Sequence, residues 1–257
     1  MSNYQGTSTA RAGSTRPAQR RLGVGVIAIA AGLATTACTA TFDFGTDGSG
    51  VAETITFDLA DFDQVEVGGV FDVDITVQDG PQSVELTVDD NLVDRIEATV
   101  DDGRLRLDIS DGSTNFDIGP TVTISVPSLA AIDAGGASDV TIEGLDSDRF
   151  ELALDGASDL VVDGRAGRLV AEVSGASKLT ASGTTDTVTL DVDGAAGADL
   201  TQLTAEEVEL AVSGAASVEL GTVDTVIGEA SGASSVAIDE ADTVAVSTSG
   251  VASVETG

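Results

Sequence analysis

Carboxylates are the reactive side chains that this sequence supplies in quantity. The chain of 257 residues carries 44 Asp and Glu, one Cys and no His. The absence of His excludes imidazole catalysis and His metal ligation, and a single Cys excludes a thiolate metal site and an internal disulfide. We therefore look for chemistry in the spacing of the carboxylates.

Three aspartates, Asp139, Asp159 and Asp199, occupy similar places in a repeated motif, with Lys178 between them. Stacked repeats would align them in a ladder, and clustered carboxylate oxygens are ligands that Ca²⁺ accepts. Asp also favours turns through hydrogen bonds to its own backbone, and Lys178 would relieve the repulsion. Both interpretations stay open, and they apply equally to Asp89, Asp90, Asp101 and Asp102. No other cofactor is expected.

The N-terminus has the pattern of an export signal. A basic segment ending in Arg20 and Arg21 precedes an apolar run that closes with LATTAC, where Cys38 follows small residues. This is the position of the lipidated cysteine in bacterial lipoproteins, although Thr35 stands where Leu is usual. We predict an export signal or anchor over 1–37, with Cys38 as the lipid attachment site. An uncleaved membrane anchor and simple secretion are the alternatives, and each places the body outside the cytoplasm.

The composition of the body favours short strands and disfavours several partners. Residues 38–50 are rich in Gly and are predicted to be a flexible linker. From residue 43 onward seven Lys and Arg face 44 Asp and Glu, a net charge of −37, so nucleic acid would be repelled. Aromatic residues make up only 3% of the chain and Trp is absent, which disfavours the aromatic platforms of sugar-processing enzymes.

A repeat of about 19 residues organises the second half of the chain. Corners such as GGASDV, SGASKL and SGASSV recur seven times, at spacings of 20, 19, 19, 20, 18 and 18. This period suits one coil of a β-helix, and Gly at each corner suits a sharp bend with positive φ. The corner glycines are Gly136, Gly156, Gly175, Gly194, Gly214, Gly232 and Gly250. The fourth corner is predicted to contain an insertion, Gly197 and Ala198.

The segments that flank the corners alternate apolar and polar residues. Leu190, for example, is predicted to face a core and Asp191 the solvent. The sequence thus predicts an all-β parallel solenoid over 131–257, with an irregular β capping region over 51–130 where strand patterns occur without a clean repeat.

With these features in view, the chain resembles the putative auto-transporter adhesin head GIN domain family of bacterial envelope proteins. The resemblance covers roughly Phe62–Gly250, through FDQVEVGGVFDVDITVQDG, VTISVPSLAAIDAGGASDV and the SGAS corners. It implies a right-handed parallel β-helix without recognised catalytic residues, and the right hand agrees with the general crossover preference.

The resulting expectation is a non-catalytic, lipid-anchored protein of the cell envelope. Its acidic, repetitive surface would serve adhesion or weak multivalent binding to a surface polymer or protein. Two alternatives remain: a carbohydrate-active enzyme that uses carboxylates, and a structural or sensory envelope component. The C-terminal coil has no obvious polar cap, so we expect this end either to fray or to pair with another copy of the chain.

Overall fold

The computed structural model describes residues 45–110 and 112–257. Its regular structure is β apart from one 3-10 turn at Val93–Arg95, as the many Val- and Thr-rich segments predict. The N-terminal strands are β1 (Thr46–Asp47), β2 (Ala52–Phe57), β3 (Gln64–Val67), β4 (Asp72–Val77), β5 (Ser83–Asp89), β6 (Ile96–Asp101), β7 (Arg104–Ile109), β8 (Thr114–Asn115) and β9 (Thr121–Val126).

The second half of the chain winds into stacked coils. Its strands are β10 (Ala131–Ala134), β11 (Asp139–Leu154), β12 (Asp159–Val173), β13 (Lys178–Val192), β14 (Gly197–Val212), β15 (Ser217–Ala230), β16 (Ser235–Thr248) and β17 (Ser253–Thr256). Each pairs in parallel with the next, so that Leu160 lies beside Leu179 on the following coil. The predicted solenoid with about 19 residues per coil is confirmed.

The corner glycines stack directly on one another. All seven have φ between 73° and 81°, as the sequence predicts. At Gly175 the stacking is tight, since a Cβ there would lie 2.5 Å from the carbonyl oxygen of Gly156. The next amide, of Ala176, donates to that same oxygen at 2.8 Å. Glycine is therefore needed both for its conformation and for the close approach of neighbouring coils.

Columns of aliphatic side chains fill the interior of the solenoid. Leu190 and Leu210, adjacent across coils, are each only 1% exposed, while Asp191 points to solvent. A second column consists of buried serines on the corners. The amide of Ser138 donates to the Ser158 hydroxyl oxygen, and the amide of Ser158 to that of Ser177, at 3.4 and 3.3 Å. These polar side chains are thus satisfied within the core.

The N-terminal region adds one more coil level and then closes the end of the solenoid. The amide of Ala137 donates to the carbonyl oxygen of Gly69 at 2.8 Å, so Gly69 continues the glycine column. At this level β3 pairs with β10 and β4 with β11, both in parallel. Beyond it the pairing becomes mixed, because β2 with β5, β5 with β9 and β6 with β7 are antiparallel. The predicted irregular capping region is confirmed.

Residues 45–50 belong to this cap, which corrects part of the predicted flexible linker. Thr46 and Asp47 pair with Thr114 and Asn115. The buried carboxylate of Asp89 accepts backbone hydrogen bonds from Gly50, Asp117 and Ile118 at 2.8 to 3.0 Å. Composition suggested a flexible chain here, but its partners lie about 40 or more residues away in the sequence.

The fourth corner contains no insertion. Gly197 pairs with Lys178 and Ala198 with Leu179, in the ordinary register, and Ala198 is buried like the leucine it replaces. The extra residues lie further along, where the pairing of β14 with β15 shifts between Leu200 and Ala205. Matching the letters of the ADL and SDL motifs misplaced the insertion, because inward-pointing Ala and Leu occupy the same core position.

Candidate binding faces

The predicted lipid attachment site, Cys38, lies outside the described residues, as does the export signal. Among residues 45–110 and 112–257, no helix has the length and apolar character needed to cross a membrane. The structure of the body therefore bears on binding rather than on anchoring.

The outward side chains just after the corners form one face of the solenoid, which we call the post-corner face. Asp139 and Asp159 are direct neighbours on it, followed by Lys178, as the sequence predicts. Asp72 on β4 precedes them in the same column. The sequence did not predict this neighbour, because β4 lies in the N-terminal region, where the repeat is irregular. Asp199 was wrongly placed in this column.

Asp199 lies two residues further along its strand than Asp139 does, beside Thr180 and Glu219. Its carboxylate accepts hydrogen bonds from the hydroxyl and the amide of Thr201, at 2.7 and 3.1 Å, which lower the pKa of Asp199. This carboxylate is held in a local turn instead of in the predicted ladder. The correction follows from the displaced insertion described above.

The pKa of Asp72, at the start of the post-corner face, responds to burial and to the like charges around it. Partial burial, followed by the charges of Asp74 and Asp139, raises the pKa of Asp72. In the described part of the chain, however, no three acidic side chains are arranged to enclose a metal ion. The post-corner face thus carries an open row of three adjacent carboxylates, Asp72, Asp139 and Asp159, with Lys178 at its end.

The strand segments before the corners present a second outward surface, which we call the pre-corner face. Its two outward columns contain Gln64, Ala131, Glu151, Val170, Thr189, Glu209, Ile227 and Ala245, and Glu66, Asp133, Ala153, Glu172, Asp191, Ala211, Glu229 and Ser247. Where these side chains are small, the surface is concave.

The first depression of the pre-corner face lies over Ala131 and Ala153. It has a volume of about 170 Å³, and Arg104, Asp133 and Glu172 stand at its rim. A second depression of about 350 Å³ lies further along the pre-corner face, over Ala211 of the second column and over Gly228, which occupies an inward position beside Leu210. Both are open to solvent, with carboxylates around a floor of small or aliphatic side chains.

Arg104 of β7 borders the first depression, and Arg106 lies further along the same strand. Arg106 contacts Glu66 at 2.9 Å, and Arg104 donates to the side-chain oxygen of Gln64 at 3.0 Å. Partial burial, followed by the charge of Glu66, raises the pKa of Asp133, and Arg104 opposes this shift. The depression therefore combines a guanidinium, an amide and carboxylates, a set of groups suited to binding hydroxyl-rich or charged polymers.

Sequence reasoning missed the pre-corner face as a site. Its carboxylates follow the alternation and were interpreted only as solvent-facing residues, and β7 lies outside the repeat. Only the register, which places Gln64 beside both Arg104 and Ala131, brings these groups together. A usable signal was the recurrence of Ala at an outward position of a strand.

Comparison with known proteins identifies the family. A family model described as putative auto-transporter adhesin, head GIN domain, matches residues 61–255. The chain belongs to this family. The resemblance that the corner motifs indicated is thereby confirmed, and membership indicates a cell-surface or exported protein of adhesin-like character.

Solved structures of three other proteins show the same fold. A putative adhesin from Bacteroides fragilis has a TM-score of 0.75 at 22% identity, covering 83% of this chain and 100% of its own. A putative adhesin from Parabacteroides merdae has a TM-score of 0.67 at 17% identity, covering 82% and 98%. A putative lipid binding protein from Parabacteroides distasonis has a TM-score of 0.67 at 16% identity, covering 82% and 99%. A search of curated proteins finds no significant match.

Proposed function

We propose that this GIN-domain protein is a lipid-anchored adhesin of the cell envelope that holds a surface polymer by weak contacts repeated along its pre-corner face. Export and attachment at Cys38 would place the acidic body outside the membrane. The signal-like N-terminus and the family's adhesin-like character support this placement.

The observation that carries the proposal is the repetition of shallow depressions along one face. Their centres lie about four coils apart, which at about 4.8 Å per coil is roughly 20 Å. Small-molecule sites usually enclose most of their ligand. Two open depressions in line instead suit an extended chain that touches several points, where modest contacts add through effective concentration.

The same geometry supports a non-catalytic role. General acid–base catalysis with carboxylates needs two groups of different pKa converging on one bond. Asp72 and Asp133, two carboxylates whose pKa is raised, lie on different faces of the solenoid. Without His, a hydrolase or lyase here would depend on Asp133 with Glu66 or Glu172 in an open depression.

Binding of the compact unit Asp43–Gly257 to purified cell-wall glycans and extracellular matrix proteins tests the proposal. We expect polymer binding that weakens severalfold in a Glu151→Gln/Glu172→Gln variant and is unchanged in an Asp139→Asn/Asp159→Asn control. Each measurement is repeated with Ca²⁺, and a calcium-dependent gain lost in the control variant would assign the post-corner face to calcium bridging. New reducing ends that disappear in Asp133→Asn would establish the enzyme alternative instead.

Lipid attachment requires its own test in cells. We expect a clickable fatty acid to label the full-length protein and the Cys38→Ser variant to remain unlabelled. Labelling that persists in the variant would contradict the assignment of Cys38.

A further inference from the structure

The outer edge of the last coil differs from every other level of the solenoid. The second half of β16, Thr243–Thr248, pairs with β15 on one side, and no strand of the described residues pairs with its other side. Its inward side chains are only partly covered, since Val244 is 38% exposed and Val246 is half-buried. Unpaired backbone groups and apolar side chains therefore meet at one edge.

Charge disappears from successive coils toward this edge. Register-equivalent segments of twelve residues carry four, three, two, two, one and finally no charged side chains, in the order 149–160, 168–179, 187–198, 207–218, 225–236 and 243–254. Exposed edge strands normally carry charge, Lys in particular, or Pro to prevent pairing. This edge of β16 has no charged side chain to prevent pairing with another strand, although the chain from residue 43 onward has a net charge of −37.

The opposite end of the sheet is protected in this way. There the two outer strands are β2 and β6, and the outward side chains of β6 include the exposed Glu97 and Asp101. A head-to-tail stack of copies would bring this charged strand against the uncharged one. Two copies joined through residues 243–247 of β16 would meet without a charged side chain in the paired segment, and such a two-fold contact closes on itself.

We propose that the uncharged edge of β16 pairs antiparallel with the same edge of a second copy, forming a dimer about a two-fold axis. Directly opposite residues of antiparallel strands point to the same face of the sheet. Centring the axis on Ala245 places Val244 opposite the partner's Val246 and Thr243 opposite the partner's Ser247. This register joins the two aliphatic interiors, and it sets Ala245 against its own counterpart on the outer surface.

Because Ala245 would lie opposite the partner's Ala245, a charged side chain at this position tests the proposed dimer. In sedimentation of Asp43–Gly257, we expect a concentration-dependent dimer that strengthens with added salt, because salt screens the net negative charge of the two bodies. Ala245→Lys and Ala245→Glu should each weaken dimerisation about tenfold, since like charges then lie directly opposite. An equimolar mixture of the two variants should restore it, because the mixed dimer pairs opposite charges.

Ala237→Lys is the matched control. Ala237 is also an exposed outward alanine on β16, but it lies where β15 and β17 flank the strand on both sides. This variant should dimerise like the wild type, with unchanged circular dichroism in all variants. A wild type that stays monomeric at the highest soluble concentration, or Lys and Glu variants that are not rescued by mixing, would overturn the proposal.

Discussion

The repeat coils and the N-terminal cap contain the same kinds of strand but are stabilised in different ways. In the coils each residue packs against its equivalent 18 to 20 residues away, and the inward columns are mainly aliphatic or Ser, with Phe150 as an aromatic member. In the cap, antiparallel strands close the end, and the buried carboxylate of Asp89 binds amides from two distant segments. Periodic packing therefore makes the coils predictable, whereas the cap depends on particular long-range contacts.

The largest predicted effect is the loss of a core position in the middle of the coils. Leu190→Asp should lower the free energy of unfolding by about 3 to 5 kcal/mol, because it buries a carboxylate without a partner and leaves a cavity. Urea denaturation measures this loss, and hydrogen exchange should show weaker protection in β12 and β14 than in the cap. Thr189→Asp, on the outer side of the same strand, should cost less than about 1 kcal/mol. Equal losses in the two variants would contradict the inward column.

A corner glycine should come next. Gly175→Ala places a Cβ at positive φ and 2.5 Å from the oxygen of Gly156, so we expect a loss of about 2 to 4 kcal/mol in urea denaturation. The control is Gly119→Ala in the cap, where a Cβ would meet nothing within 4 Å and the unfolding free energy should hardly change. A tolerated alanine at Gly175 would mean that the coils are not in close contact at their corners.

The cap should instead be sensitive at Asp89. Burial alone would raise the pKa of this carboxyl, but hydrogen bonds from Ile118, Gly50 and Asp117 outweigh burial and lower it. Its contribution to stability is therefore present above the ordinary pKa of 3.8 and is lost as pH falls through the lowered value. Asp89→Asn should speed amide exchange at Gly50 and Ile118 and leave the coils protected.

The exposed Asp90 next to it supplies the control for this test. Asp90→Asn removes a charge at the same turn but keeps the three backbone contacts of Asp89, so exchange at Gly50 and Ile118 should not change. If Asp89→Asn speeds amide exchange equally in the cap and in the coils, the two regions unfold as one unit. That result would contradict their being stabilised in different ways.

The smallest predicted effect is a gain at the junction of the two regions. Asp72→Asn should stabilise the protein by about 0.5 kcal/mol at pH 7, because it removes a partly buried charge together with its repulsion from Asp74 and Asp139. Since the pKa of Asp72 is raised in the fold, the penalty is present above that raised value and vanishes below 3.8. The gain in stability should disappear on acidification. Asp159→Asn should show no gain, because it also loses the attraction between Asp159 and the neighbouring Lys178.

Much of the coil architecture could be predicted because short sequence patterns determine it. The spacing of the corner glycines predicts the coil length, and the alternation around Leu190 predicts the buried face, without reference to distant residues. The same reasoning failed at Gly197 and Ala198, where buried Ala replaces Leu and the register is carried by backbone pairing. Asp199 was misplaced for that reason.

The contacts of the cap and of the pre-corner face could not be predicted from the sequence. Nothing near Gly50 in the sequence indicates that its amide binds Asp89, and nothing near Arg104 indicates that it borders Ala131. These contacts join segments that are tens of residues apart without a repeating interval, so no periodicity reports them. Side chains that the sequence shows only as charged and exposed form the rim of a depression when the register is known.

The polymer length needed for tight binding distinguishes repeated contacts along the pre-corner face from a single binding site. Titrating Asp43–Gly257 with size-fractionated fragments of a bound cell-wall polymer should give very weak binding to fragments shorter than about 20 Å and a steep rise once a fragment spans both depressions. The Glu151→Gln/Glu172→Gln variant should lose that rise. Full affinity for a fragment that fills a single depression would contradict adhesion by contacts repeated along the pre-corner face.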